Sequence, residues 1–374
     1  MIYLDNAATT KPCLECRKAV AEAMENQFGN ASSLHNMGTA SLQILSRAKR
    51  TVLAALSGTK SPLDGEVVFT SGATESNNMA IFGAAERARC RRIVSTAIEH
   101  PSVARALDGL AERGFEVVRL APKDHADFIE AIVNAVDENT ALVSVMAVNN
   151  ETGFAVDVPL LYKQIKRKNP KTAVHIDAVQ GFLKMPLDGD LISVSGHKIH
   201  SSKGIGALFI KKGEIIPPLL KGGGQQHNLR SGTEPVELIA GFEAAINAYR
   251  GSHEGFLKLK NHLLKRLSEL SDIKLNSDER CVPNIVNFSV RGVRSEIMLH
   301  SLEEDGIYVS SGSACSKGKK SGVLEALGVS DKDADCAVRV SFCADNTTDE
   351  IDALCDKISK TIERVRRGTS KNRF

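Results

Sequence analysis

Through the middle of the chain, short runs of β-branched and other apolar residues alternate with segments whose apolar positions recur every three or four residues. The runs are Glu66-Val-Val-Phe-Thr70, Ile93-Val-Ser-Thr96, Glu116-Val-Val-Arg-Leu120, Ala141-Leu-Val-Ser-Val-Met146, Ala173-Val-His-Ile176, Leu191-Ile-Ser-Val194 and Gly206-Ala-Leu-Phe-Ile210. Each has the length of a strand, and helical periods lie between them, from about Glu75 to Arg89 and again after Pro101. Strands alternating with helices predict a mostly parallel sheet covered on both faces. Ligands bind at the ends of such strands.

Beyond Gly232 the texture changes. The pattern predicts helices from Pro235 to Tyr249 and from Phe256 to Leu270, then a strand over Asn284-Ile-Val-Asn-Phe-Ser-Val290. A helix near Ser295 to Glu304, a strand near Tyr308, a strand over Ala337-Val-Arg-Val-Ser-Phe342 and a charged closing helix follow. This reads as a smaller α+β domain. The expected division is a large domain over 13–250 and a small one formed by 1–12 with 251–374.

Composition narrows the function classes. The chain has 374 residues, with 48 basic and 45 acidic side chains, so no charge excess calls for nucleic acid or a membrane surface. The basic clusters, such as Arg87 to Arg92 and Lys317 to Lys320, read as solvated helix ends. No segment is apolar and long enough to span a bilayer, and Met1-Ile-Tyr-Leu-Asp5 has none of the features of a secretion signal. A cytoplasmic protein is expected. The eight cysteines are irregularly spaced, as reduced thiols are. Cys13-Leu-Glu-Cys16 has the spacing of half a zinc site but no second ligand pair nearby, so no metal is expected.

The chemistry concentrates in Ser193-Val-Ser-Gly-His-Lys198, just downstream of Asp177-Ala-Val-Gln180. A lysine and a carboxylate at the ends of two neighbouring strands suit pyridoxal phosphate. The amine captures the aldehyde, and the carboxylate keeps the pyridine nitrogen protonated. Ser71-Gly-Ala-Thr-Glu75 joins a strand to a helix, and reads either as a plain cap by Ser71 or Thr74 or as a phosphate cradle. His100 follows a strand and precedes a helix-starting proline, at the edge where an imidazole faces a ligand. In Asn149-Asn150-Glu151, one asparagine closes an Asx-turn or presents its amide to a ligand, and spacing leaves open which. In Gly222 to Thr233, Arg230 and Thr233 are candidate anion ligands. Ser310 to Gly322 is rich in glycine, serine and lysine, so an exposed, mobile loop is expected. Its cysteine, Cys315, has three nearby lysines that favour the thiolate. Arg339 lies inside an apolar strand and needs a buried partner, either a substrate carboxylate or an internal acid.

As an ordered set the motifs resemble the cysteine desulfurase family of the NifS/IscS type, within the class V aminotransferase group of pyridoxal phosphate enzymes. The matching pieces begin with Tyr3-Leu-Asp-Asn-Ala-Ala-Thr-Thr10, Gly29-Asn-Ala-Ser-Ser-Leu-His35 and Phe69-Thr-Ser-Gly-Ala-Thr-Glu-Ser76. Glu99-His100, Val148-Asn-Asn-Glu151, His175-Ile-Asp-Ala-Val-Gln180 and Ser195-Gly-His-Lys198 follow, then Lys203-Gly-Ile-Gly-Ala-Leu208, Arg230-Ser-Gly-Thr233 and Ser310-Ser-Gly-Ser-Ala-Cys315. The resemblance implies the α/β fold type I of pyridoxal phosphate-dependent transferases and a homodimer. It also implies removal of sulfur from L-cysteine, leaving alanine. Lys198 carries the cofactor in that scheme, Asp177 pairs with the ring nitrogen, Gln180 reaches the ring hydroxyl, and His100 stacks on the ring and moves protons. Ala73, Thr74, Ser195 and His197 take the phosphate, with Thr233 of a neighbouring subunit. Asn150 and Arg339 take the substrate carboxylate. Cys315 takes the sulfur as a persulfide for an acceptor protein in iron–sulfur cluster assembly or thiolation. Related alternatives are a selenocysteine lyase, a transaminase of the same fold, or a non-catalytic sulfur-assembly subunit.

Overall fold

The computed structural model describes residues 1–58, 63–311 and 321–371. In chain order the elements begin β1 (Ile2–Tyr3), α1 (Leu14–Asn26), α2 (Asn36–Ser57), β2 (Gly65–Thr70), α3 (Ala73–Arg87), β3 (Arg92–Thr96), α4 (Pro101–Glu112), β4 (Glu116–Leu120), α5 (Phe128–Ala135) and β5 (Thr140–Met146). They continue with α6 (Val158–Lys168), β6 (Ala173–Asp177), β7 (Leu191–Ser195), β8 (Gly206–Lys211), α7 (Val236–Asn247), α8 (His253–Ser268), β9 (Ile273–Leu275) and β10 (Ile285–Val290). The last are α9 (Ser295–Glu304), β11 (Ile307–Tyr308), β12 (Ser310–Ser311), α10 (Gly322–Ala326), α11 (Asp331–Ala334), β13 (Ala337–Ser341) and α12 (Thr348–Lys371).

These elements pack as two compact units: Thr10–Ala147 with Val156–Tyr249, and Met1–Thr9 with Val148–Ala155 and Arg250–Phe374. The short segment Val148–Ala155 therefore packs with the second unit, although it lies inside the stretch 13–250.

The larger unit is built on a seven-stranded sheet of order β2-β8-β7-β6-β5-β3-β4. Every side chain of β5 is buried, as expected for a central parallel strand covered on both faces. Strands β3 to β7 run parallel. β8 is antiparallel to both β7 and β2, so β2 points the same way as the parallel set. One edge of the sheet thus collects the ends of β2, β3, β5, β6 and β7. Thr70 and Ser195 both pair with Gly206, which sets the turns after β2 and β7 on either side of one glycine. Only glycine fits there: a Cβ would stand 2.8 Å from the Cα of Gly72 and 2.7 Å from the carbonyl oxygen of Val194.

The smaller unit has a four-stranded antiparallel sheet, β12-β13-β10-β9, and a parallel pair, β1 with β11. Its core forms where α8 contributes Phe256, Leu259, Leu263 and Leu267, and α12 contributes Ile351, Leu354, Cys355, Ile358 and Ile362. Both sets recur every three or four residues and so line one helix face.

Candidate active site

In the larger unit, the turn after β2 opens α3 without a side-chain cap. The N-cap is Gly72, with φ +152°, and no side chain bonds to it, so neither Ser71 nor Thr74 plays the capping part. A Cβ at Gly72 would meet nothing within 4 Å. Ala73 and Thr74 form the first turn, where amide hydrogens point outward and the helix dipole favours an anion. Arg230 is not free for that anion. Its Nε donates to Glu75 at 2.8 Å, and Glu75 also accepts from the backbone of Ser71 at 2.8 Å. Burial pushes the Glu75 carboxyl up, but the bonds from Arg230 and Ser71 outweigh it and the net shift is downward.

Asp177 ends β6 and is buried. Its Oδ1 accepts from the backbone of Val179 at 3.1 Å and its Oδ2 from Asn77 Nδ2 at 2.9 Å. Burial raises its pKa against the pull of those bonds and of the neighbouring His100 and Lys198. Asn77 Nδ2 also donates to Ser102 Oγ at 2.8 Å, and Ser102 Oγ lies 2.8 Å from His100 Nδ1. Ser102 Oγ accepts from Asn77 and so donates to His100 Nδ1, which also accepts the backbone N–H of Ser102 at 3.2 Å. Nδ1 is therefore an acceptor, and the neutral imidazole carries its proton on Nε2. Burial holds the His100 pKa below its usual value. His100 is also the N-cap of α4, with Pro101 at the first helical position.

Beneath this relay sits Glu99, fully buried. Its Oε1 accepts from Thr96 Oγ1 at 2.5 Å and from the backbone of Met146 at 3.0 Å. Its Oε2 has no partner among the described residues. Burial pushes its pKa up to about 8, with the charge of Asp177 adding to the shift, so it is neutral at pH 7.

Ser195 ends β7, and Gly196–Lys198 form a single tight turn after it. Thr10 pins the turn: its backbone N–H and its hydroxyl both donate to the carbonyl of His197, at 2.9 and 3.0 Å. Burial lowers the His197 pKa to about 4, with Lys198 and Lys203 adding to the shift, so its imidazole is neutral. Lys184, whose pKa burial lowers to about 8, donates to the carbonyl of Lys198 at 3.5 Å. Gln180 is buried in the turn after β6. Thr233 is exposed, between Gly232 and Glu234.

In the smaller unit the asparagine doublet divides its two readings. Asn149 is buried and closes an Asx-turn: its Oδ1 accepts from the backbone of Glu151 at 2.9 Å and of Thr152 at 3.0 Å. Asn150 is half-buried, and its carbonyl accepts from Arg339 Nη1 at 2.9 Å. Arg339, 3% exposed on β13, also donates from Nη2 to Asp5 Oδ1 at 2.6 Å. Its Nε has no partner among the described residues. Glu151 accepts from Ser321 Oγ at 2.6 Å, and burial raises its pKa. Cys315 lies outside the described residues. The seven cysteines within them are free, and Cys13 is the N-cap of α1, its sulfur accepting from the backbone of Cys16 at 3.3 Å.

The model of the aminotransferase class-V family matches residues 2–354. The chain belongs to the class-V aminotransferase family. Among curated relatives of this class-V chain, a cysteine desulfurase of Trichormus azollae is 35% identical, the match covering 98% of this chain and 94% of the relative. A solved structure titled as a NifS-like protein superposes with a TM-score of 0.86 at 33% identity, covering 97% of this chain and 99% of that one. A structure of SspA in complex with cysteine superposes with a TM-score of 0.81 at 28% identity, covering 93% and 100%. Two groups in this cluster lay outside the quoted motifs, Asn77 and Ser102, and Thr10 closed one of those motifs without being given a role. Asn77 and Ser102 are polar residues on helices, where a sequence gives solvent exposure as the default.

Proposed function

We propose that this class-V aminotransferase chain is a cysteine desulfurase that holds pyridoxal phosphate in the larger unit. The observation that carries the reading is Asp177: a buried acid with two hydrogen bonds, tied through Asn77 and Ser102 to a neutral His100, on the sheet edge that also carries Lys198. The residues fit the cofactor. A buried carboxylate calls for a cation such as a protonated ring nitrogen, and the uncapped start of α3 beside open space calls for a phosphate.

Lys198 would hold the cofactor's aldehyde carbon through Nζ, and Gln180 would bond its ring hydroxyl. The first turn of α3 at Ala73 and Thr74, with Ser195 and neutral His197, holds the phosphate, and Thr233 of a second copy completes it in a homodimer. When bound, the cofactor supplies an electron sink that stabilises negative charge developing on the substrate. Asp177 keeps the ring nitrogen protonated. His100 would face the ring and move a proton through Nε2, its tautomer fixed by Ser102. Asn150 and Arg339 hold the carboxylate of L-cysteine, and the guanidinium fork gives that contact its geometry. Cys315 takes the sulfur as a persulfide and passes it to an acceptor protein for iron–sulfur cluster assembly or thiolation. The setting is cytoplasmic, and no helix among the described residues is long and apolar enough to cross a membrane.

The test is an absorbance spectrum of the purified protein, then addition of L-cysteine under reductant with alanine and sulfide both measured. A cofactor band, equal amounts of alanine and sulfide, and loss of the band in Lys198→Ala are expected. Absence of the band after added cofactor sinks the reading.

A further inference from the structure

The arginine proposed to take the substrate carboxylate already faces a carboxylate of its own chain. Asp5 and Arg339 stand 334 positions apart in sequence and meet at 2.6 Å. Neither was brought there by its side chain alone. Arg339 is fixed by backbone pairing on both sides, opposite Asn287 of β10 and Ser310 of β12. Asp5 is fixed by its neighbours: Leu4 donates its backbone N–H to Tyr308, Ser341 donates to Leu4, and Asn6 donates to Ser341. A second donor, Ser310 Oγ, reaches the same Asp5 oxygen at 2.8 Å.

A guanidinium has five N–H donors. Here Nη1 is used by the carbonyl of Asn150 and Nη2 by Asp5, while Nε is buried and without a partner among the described residues. A fully satisfied structural arginine does not leave a buried donor unpaired. One donor of the guanidinium is thus unused, while its charge is already paired with the fixed carboxylate of Asp5. The other ionisable groups facing Arg339 are Tyr3 and Glu151, and burial shifts both toward their neutral forms, against the pull of Arg339 itself.

We propose that Asp5 is a positioning and affinity-setting residue: an internal carboxylate that shares Arg339 with the substrate and weakens its hold on the carboxylates of substrate and product. This rests on the reading that Arg339 binds the carboxylate of L-cysteine. An incoming carboxylate meets a guanidinium already paired with a fixed anion, and two anions on one cation repel each other in a site poor in water. The benefit is release. Alanine leaves with its carboxylate intact, so a fully available Arg339 would retain it.

The experiment is Asp5→Asn, which keeps an oxygen to accept from Arg339 and Ser310 but removes the charge. Asp5→Ser serves as a second, smaller replacement. For the cofactor-loaded enzyme, the KM for L-cysteine and the half-saturating concentration of L-alanine in an absorbance titration should both fall about tenfold. Ethylamine, which is alanine without its carboxylate, should titrate as in the wild type. The melting temperature of both variants should fall, because Arg339 loses its buried counter-ion. A merely structural Asp5 would raise KM as it lowers stability, so a raised or unchanged KM in Asp5→Asn overturns the proposal. Arg339→Ala separates the two readings. If it raises the KM for L-cysteine and leaves ethylamine unaffected, the carboxylate site stands, whatever Asp5 does. If it leaves the L-cysteine KM unchanged, the carboxylate site falls and the role of Asp5 falls with it.

Discussion

Glu99 makes the larger unit sensitive to pH in a direction opposite to most carboxylates. It titrates at about 8 when folded, against 4.5 for an exposed glutamate, because burial penalises its charged form and Asp177 repels it. A raised folded pKa means the folded state holds the proton more tightly. The associated stability is complete below the unfolded value and is lost as pH rises through the folded one. Each pH unit in that window removes about 1.4 kcal/mol, so the loss between pH 5 and pH 8 is on the order of 3–4 kcal/mol. Glu99→Gln keeps an oxygen for the backbone of Met146 and the hydroxyl of Thr96, and it cannot ionise. Its amide N–H2 inherits the position of the unpartnered Oε2, a penalty that does not depend on pH. The assay is thermal melting of wild type and Glu99→Gln, both stripped of cofactor, at intervals from pH 5 to pH 9. Groups common to both proteins cancel in the difference. The wild type should lose roughly 10 °C relative to the variant across that range, taking about 3 °C per kcal/mol for a unit of this size. A melting difference that stays constant across the range would refute the argument, since only a proton on Glu99 makes it vary.

Other consequences are simpler to check. Asp177→Asn should keep the cofactor band but lower turnover on the order of a hundredfold, measured as alanine formed, because the ring nitrogen loses its counter-charge. Cys315→Ala should retain the band and fail to form persulfide; sulfide release at the wild-type rate would remove Cys315 from the proposed chemistry. Gly206→Ala should weaken cofactor binding on titration, because its Cβ would press on the backbone of Gly72 and Val194 and displace the turn that opens α3.

Much of the fold was legible because burial writes itself into residue type. The strand run at Ala141 to Met146 became β5, buried at every position, and the run at Ala337 to Phe342 became β13. The mostly parallel sheet and fold type I also follow from that alternation and the family resemblance, and the NifS-like structure shares the arrangement. Lone polar residues were harder. Nothing local marks Asn77 as buried, and its importance comes from Ser102 and Asp177, which reach it from a different helix and a different strand. The asparagine doublet needed backbone geometry, because an Asx-turn and a ligand amide use the same residue type. The internal acid for Arg339 was anticipated as a class, but not as Asp5, since the pair is made by two strands from opposite ends of the sequence. Of the two readings of Ser71 to Glu75, the plain cap by Ser71 or Thr74 is absent, because Gly72 takes the N-cap position.

The two clusters follow one electrostatic rule, each within its own unit. In the larger unit Asp177 is a buried acid beside Lys198, and burial keeps the other groups around it uncharged, holding the proton on Glu99 and keeping protons off the His100 and His197 rings. In the smaller unit Arg339 is a buried cation balanced by a single fixed anion, with Glu151 and Tyr3 shifted toward their neutral forms. Burying a charge is unfavourable, and burying several around it to compensate would cancel its attraction for a ligand. Neutral neighbours leave the field of the buried group to act on the ligand, and at Arg339 the fixed charge of Asp5 tempers that field. The same arrangement makes the unliganded protein less stable than its packing alone would give. Binding of a cation at Asp177 should therefore raise the melting temperature of the larger unit by mass action, and Asp177→Asn should reduce that increment.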